Sequence, residues 1–142
     1  MVDVRPRAAV FSPDGKRAHV SAEVGGSITV VDAKKHQILN TISLERGEGK
    51  PVGLAVSKDG KWLYAANGRT STVSIVDLTR GQVAATIHVG RRPWGIALNH
   101  DGTRLYTANG LSNDVSVIDI ATRKVIASIK VGMRPWGVAA PR

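Results

Sequence analysis

The sequence predicts an all-β chain built from repeated four-stranded units. Three observations carry this reading. Residues 51–92 align with residues 93–134 without a gap, and 19 of the 42 positions are identical. Asp-Gly pairs recur at Asp14-Gly15, Asp59-Gly60 and Asp101-Gly102; this is hairpin chemistry, because glycine reaches the positive φ that a tight turn needs. The apolar runs are short, rich in Val, Ile, Leu and Ala, and show no sustained helical period, so they read as strands.

The elements follow in order within each unit. In the third copy the four strands are "WGIALN", "RLYTANG", "DVSVIDI" and "KVIASIKV", each bounded by turn residues. The Asp-Gly pair joins the first two. Asn67-Gly68 and Asn109-Gly110 are expected to start the second turn, with glycine again at positive φ. The third turn, "DLTRGQ" or "DIATRK", opens on Asp77 or Asp119, as its counterpart opens on Asp32, and the carboxylate can cap the backbone two residues on. The first copy begins with "RAAVFS" and is looser. It holds "HVSA" where the others hold "YAAN" and "YTAN", and "LERGEGK" carries three extra residues. The repeats span 5–49, 50–91 and 92–133, and a partial repeat covers 134–142, where "RPWGVAA" reads as the innermost strand of a next unit.

Strands such as "SIVDL" and "VIASI" are apolar on both faces, which suits a sheet covered on both sides by like sheets. A period near 42 residues with four strands per unit is the pattern of a propeller blade. The predicted fold is an all-β partial β-propeller: a single unit over 1–142, with three four-stranded antiparallel blades plus one strand of a fourth. Three blades do not close a ring, and the tail strand finds no orphan outer strands at the N-terminus. The chain is therefore expected to be a C-terminal fragment of a larger propeller. The rival is a pair of chains pooling six blades. Either way, an isolated copy exposes two blade faces of Val, Ile and Leu, so self-association is expected.

Composition narrows the function classes. Apolar residues make up 42% of the 142-residue chain, enough for a core. There is no cysteine, which removes disulfide, thiol and zinc-knuckle chemistry together. No apolar run approaches a membrane span, and "MVDVRPRAAV" does not read as a signal peptide. The net charge of +9 favours anionic partners, but the charges are scattered over turns. No nucleic-acid motif is present, so nucleic acid is not an expected partner.

The pattern "RPxGxAxxxDGxxLYxANxxxxxVSVID" resembles the YVTN family of β-propeller repeats, with Tyr64–Asn67 and Tyr106–Asn109 matching its tetrad apart from the middle residues. The ending "VGMRPWGVAAPR" is most similar to bacterial β-propeller proteins associated with PQQ-dependent alcohol catabolism. That resemblance implies seven repeats, a periplasmic location and a binding or scaffolding role beside the oxidising enzyme, with no cofactor of its own. Seven-bladed lactonases have similar repeats, and hydrolysis of a sugar lactone is one alternative; a non-functional fragment of a larger propeller is the other. Hydrolysis needs convergent acidic, His or Arg side chains in the channel. The innermost strands offer Ala, Val, Leu, Ile, Gly, Ser57 and Asn99, so the expectation is a protein that is not an enzyme, with no catalytic residues.

The candidate site lies where repeats converge. The residue before each repeat's proline is cationic: Arg5, Lys50, Arg92 and Arg134. On one face of a propeller these would form an arc of positive potential at the channel mouth, suited to an acidic protein or a small anion. The alternative is a fixing role, each cation stacking on a tryptophan or pairing with a turn carboxylate. Trp94 and Trp136, in identical "RPWG" contexts, are either an aromatic rim around a ligand or wedges in the blade seams. Gly53, Gly95 and Gly137 would then allow the backbones to approach. Trp62 takes a slot held by Arg17 and Arg104. The four histidines, His19, His36, His88 and His100, fall at four different repeat positions and are not expected to converge on a metal.

Overall fold

The computed structural model describes residues 1–140. Twelve strands form three four-stranded antiparallel sheets. The first blade holds β1 (Pro6–Phe11), β2 (Arg17–Ala22), β3 (Ser27–Asp32) and β4 (Gln37–Ser43). The second holds β5 (Pro51–Val56), β6 (Trp62–Asn67), β7 (Thr72–Asp77) and β8 (Gln82–His88). The third holds β9 (Pro93–Leu98), β10 (Arg104–Asn109), β11 (Asp114–Asp119) and β12 (Lys124–Lys130). Within each blade the strands pair in chain order, as a meander. The extra residues of the first repeat form one 3₁₀ turn, Glu45–Gly47.

The inner strands β1, β5 and β9 pack side by side, whereas the outer strands β8 and β12 barely meet. The blades therefore fan out from a common axis, which is propeller geometry. Glycine permits the close inner approach: a Cβ on Gly53 would overlap the Trp94 carbonyl, and one on Gly95 would overlap Gly137 and Trp136. Gly137 meets no atom that a Cβ would touch. The tail beyond Arg134 runs along β9 but is not a strand; residues 135–140 enter no ladder. The sequence expectation of a strand fails there because strand geometry needs an edge to pair with, and no second strand of a fourth blade lies within the described residues.

Left-handed backbone recurs four times per repeat. It occurs before each proline (Arg5, Lys50, Arg92, Arg134), at the Asp-Gly glycines (Gly15, Gly60, Gly102), in the second turn (Gly26, Ser71, Asn113) and in the third (His36, Gly81, Arg123). The expectation that Gly68 and Gly110 carry positive φ is thus corrected: the second turn bends three residues later, at Ser71 and Asn113. Gly68 and Gly110 instead lie against the start of the next repeat, Gly68 beside the Pro93 carbonyl and Gly110 beside the Pro135 carbonyl.

Two apolar clusters fill the seams. Leu63 packs with Ile28, Val30, Ile42 and Leu44 between the first two blades. Leu105 packs with Tyr64, Val73, Ile75 and Ile118 between the second and third. In the middle blade β7 is buried at all six positions, while β12 is exposed at all seven. The apolar two-faced strand pattern is therefore satisfied only where a neighbouring blade covers it.

Candidate functional site

β1, β5 and β9 run from the pre-proline residues to the Asp-Gly turns. The pre-proline residues and the second turns therefore share one end of the blades, and the Asp-Gly and third turns share the other. At the first end the left-handed pre-proline residue turns its carbonyl inward. Arg5, Lys50 and Arg92 accept hydrogen bonds from the backbone N–H groups of Glu23 (2.9 Å), Gly68 (3.2 Å) and Gly110 (2.9 Å). Proline has no N–H to contribute at the next position, so the strained turn recovers one ladder bond.

The cationic side chains diverge from there. Arg5 Nε lies 3.4 Å from Glu23 Oε2, and Arg7 Nε reaches the same oxygen at 3.5 Å. Lys50 Nζ donates to the carbonyls of Val24 (3.1 Å) and Gly47 (3.0 Å). The Arg92 guanidinium sits 5.5 Å over the Trp94 ring. Trp94 in turn contacts Trp136, with centroids 4.3 Å apart and planes tilted by 53°. Arg134 is held by its backbone N–H, which donates to Asn113 Oδ1 at 2.9 Å, and its side chain is exposed. The structure thus gathers Arg5 and Lys50 at one place and sets Arg92, Trp94 and Trp136 together at the next seam. The two tryptophans pack against each other, and Trp136 remains 66% exposed.

Arg5 and Lys50, with Glu23, Val24 and Arg69, line a cavity of about 280 Å³. Three cations and one carboxylate leave it positive. Arg69 is exposed and makes no ion pair among the described residues. Sequence reasoning missed Arg69 and Glu23. The signal was a break in the repeat: Glu23 occupies the slot of Gly68 and Gly110, and Arg69 that of Val24 and Leu111.

The aspartates of the Asp-Gly turns and of the third turns are committed to those turns. Asp14 and Asp59 accept from the hydroxyls of Ser12 (2.6 Å) and Ser57 (2.5 Å), and Asp101 from Thr103 (2.5 Å). These hydroxyl bonds, with backbone N–H bonds behind them, hold all three below the ordinary carboxylate range. Asp32, Asp77 and Asp119 accept from backbone N–H groups two or three residues on. The tetrad asparagines do structural work too: Asn109 Nδ2 donates to Asp114 (2.9 Å) and Ser116 (2.9 Å), pinning the second turn. Burial pushes Asp114 upward, but hydrogen bonds from Ser112, Ser128 and Asn109 outweigh it and the net shift is down. Among the described residues no three His, Asp or Glu side chains are grouped as a metal site, and no helix is long and apolar enough to cross a membrane.

The family model described as "Lactonase, 7-bladed beta-propeller" matches residues 4–128. Salmonella typhimurium YncE, described as an uncharacterized protein, is 34% identical over 65 residues, covering 46% of this chain and 18% of its own length. A chain of the Kuenenia stuttgartiensis hydrazine synthase is similar in structure, with a TM-score of 0.87 and 31% identity over 93% of this chain and 38% of that one. A Bacteroides fragilis protein, described provisionally as a 6-phosphogluconolactonase, gives a TM-score of 0.77 and 26% identity over 93% of this chain and 40% of its own. The chain therefore spans about a fifth of the curated relative and about two fifths of these solved chains.

Proposed function

The chain belongs to the seven-bladed β-propeller lactonase family, and on that premise we propose that it is the anion-binding part of a propeller, receiving a small sugar acid or an acidic partner at the pre-proline end of its blades. The observation that supports this reading is the cavity where Arg5, Lys50 and Arg69 surround a single carboxylate, Glu23. Rigid blades hold these groups on short loops, so little ordering is needed on binding. The Bacteroides fragilis relative's described activity yields a phosphorylated sugar acid, and that chemistry matches the positive cavity. The test is calorimetric titration with 6-phosphogluconate. Binding that weakens at least tenfold in Lys50→Gln/Arg69→Gln supports the reading, and equal affinity in that variant overturns it.

Hydrolysis is the second reading, favoured by Glu23. Two arginines clasp this carboxylate beside the cavity, where it could activate a water against a lactone carbonyl. Turnover of 6-phosphogluconolactone above the spontaneous rate, lost in Glu23→Gln, would establish it. A place in the periplasm beside PQQ-dependent alcohol oxidation is supported only by the resemblance of the "VGMRPWG" segment. Co-purification with such an oxidising system is its test. Self-association through the open blade faces is supported by exposed Ile38 and Leu39 on β4 and Ile126 and Ile129 on β12, and light scattering across a concentration series checks it.

A further inference from the structure

The two blade seams differ most at the end opposite the basic cavity. Between the second and third blades, Trp62 and Tyr64 occupy this part of the seam, Arg123 lies 5.7 Å over the Trp62 ring, and the cavity beside the two rings is about 160 Å³. The equivalent slots in the first blade hold Arg17 and His19, and the space there is about 350 Å³. Val30 and Ile42 form apolar wall, and Asn40, Thr79 and Arg80 supply polar groups around it.

His19 is the unusual member. It is 1% exposed, and neither ring nitrogen has a hydrogen-bond partner. A buried imidazole with two unmade bonds is costly, so such a group calls for an explanation. Arg17 adds a second anomaly. In the third blade Arg104 pairs with Asp119 at 2.5 Å. Arg17 faces Asp32 in the same register but makes no ion pair among the described residues. Asp32 is already engaged by the N–H groups of Lys34 and Lys35. Arg80 reaches Asp77 only at 3.4 Å from an exposed position.

We propose that this seam cavity is a second ligand site, taking a small oxyanion that also carries a hydroxyl. Two guanidiniums, Arg17 and Arg80, supply the positive charge and the fork geometry for a carboxylate or phosphate. Neutral imidazole offers one donor and one acceptor. An oxyanion oxygen satisfies the first and a ligand hydroxyl the second. A hydroxycarboxylate and monohydrogen phosphate share this chemistry, and the cavity is large enough for either. Burial, and then the positive charge of Arg17, hold His19 below its ordinary value, which keeps the ring neutral as this pairing requires.

The full chain, carrying ¹³C-labelled histidine, is titrated separately with gluconate and with inorganic phosphate to about 10 mM, against chloride at matched ionic strength. The His19 ring signal is expected to move saturably with at least one probe, and which one identifies the ligand class. Arg80→Gln, a change at an exposed side chain, is expected to weaken that binding at least fivefold, while Arg69→Gln at the opposite end leaves it unchanged. His19→Tyr, which installs the residue of the other two repeats and so carries no His19 signal, is followed by calorimetric titration in an Arg69→Gln background, where it is expected to abolish the remaining probe binding while the fold persists. A signal that is unmoved, or that follows chloride equally, means a water-filled cavity and overturns the proposal. Loss of the effect in Arg69→Gln overturns it as well, by assigning the anion to the basic cavity.

Discussion

The seam between the first and second blades and the seam between the second and third are built from the same repeat, yet beside the third turns one holds a cavity of about 350 Å³ and the other about 160 Å³. Their interiors are alike: Leu63 and Leu105, both fully buried, hold equivalent places in the two apolar clusters. They part at the third-turn end, where Arg17 and His19 replace Trp62 and Tyr64, and where Gly81 stands in the slot from which Arg123 covers the Trp62 ring. A repeat fold tolerates such a replacement because each blade contacts only its neighbours, so a defect stays in one seam. The blade framework survives while a local cavity appears, and a repeat protein gains a specific site in this way without altering its strands.

The largest expected effect tests whether the seams are otherwise equal. Leu63→Ala and Leu105→Ala should each cost about 2–5 kcal/mol through lost burial and residual cavity, measured by urea unfolding. Similar costs would show that the difference is confined to the polar end of the seam. A clearly smaller cost at Leu63 would mean that the first seam is loose throughout. The next effect comes from exchanging the distinguishing residue. Tyr64→His should destabilise the narrower seam by about 2–3 kcal/mol, because buried ring area is lost and orphan nitrogens are created. His19→Tyr should stabilise the wider seam by about 1–2 kcal/mol by the reverse argument. Opposite signs in thermal melts are the expected result, and the same sign would break the comparison.

Acid should sharpen the same contrast. The pKa of His19 is lowered from 6.5 in the folded chain, so below about pH 6.5 the unfolded chain binds the proton first and stability falls as pH drops towards the folded value. Above 6.5 this contribution is fully present. The turn carboxylates, lowered from 3.8, keep their contribution down to about that pH and lose it only as pH falls further. Two separate stages of acid loss are therefore expected, and His19→Tyr should remove the upper one alone. Denaturant midpoints from pH 8 to pH 3 check this.

Most of the architecture was legible because the repeat is written in turn chemistry. The Asp-Gly pairs, the Asp of each third turn and the two-faced apolar runs place the four strands of the third blade to within a residue at either end. The basic pre-proline array was legible as well, but the fate of its side chains was not. Whether Lys50 spends its ammonium on the Val24 and Gly47 carbonyls depends on the 3₁₀ turn of the first repeat, which no periodic pattern announces. Glu23, Arg69 and His19 were hidden for the opposite reason. Each departs from the repeat, and a departure reads as looseness until a neighbouring blade shows what it faces. The tail strand was misread because "RPWG" signals an inner strand only when an outer one is there to pair with it.

The smallest effect concerns backbone the two seams share. The second turn of every blade bends through one left-handed residue: Gly26 in the first, Ser71 (φ 57°) in the second and Asn113 (φ 57°) in the third. A left-handed serine carries a steric penalty of roughly 1–2 kcal/mol that glycine escapes, while glycine in turn costs roughly 0.5–1 kcal/mol of extra chain entropy. Ser71→Gly should therefore stabilise by about 0.5 kcal/mol. Asn113→Gly should gain less, because asparagine tolerates this conformation better and the bond its Oδ1 accepts from the Arg134 N–H is shorter, at 2.9 Å, than the equivalent bond that Ser71 Oγ accepts from the Arg92 N–H, at 3.4 Å; glycine would lose either one. A gain at Ser71 larger than at Asn113, read from paired urea midpoints, would show that the second turn is set by backbone strain. The reverse order would mean that the hydrogen bond to the pre-proline residue contributes nothing, and that the tail's course along β9 depends on tryptophan packing alone.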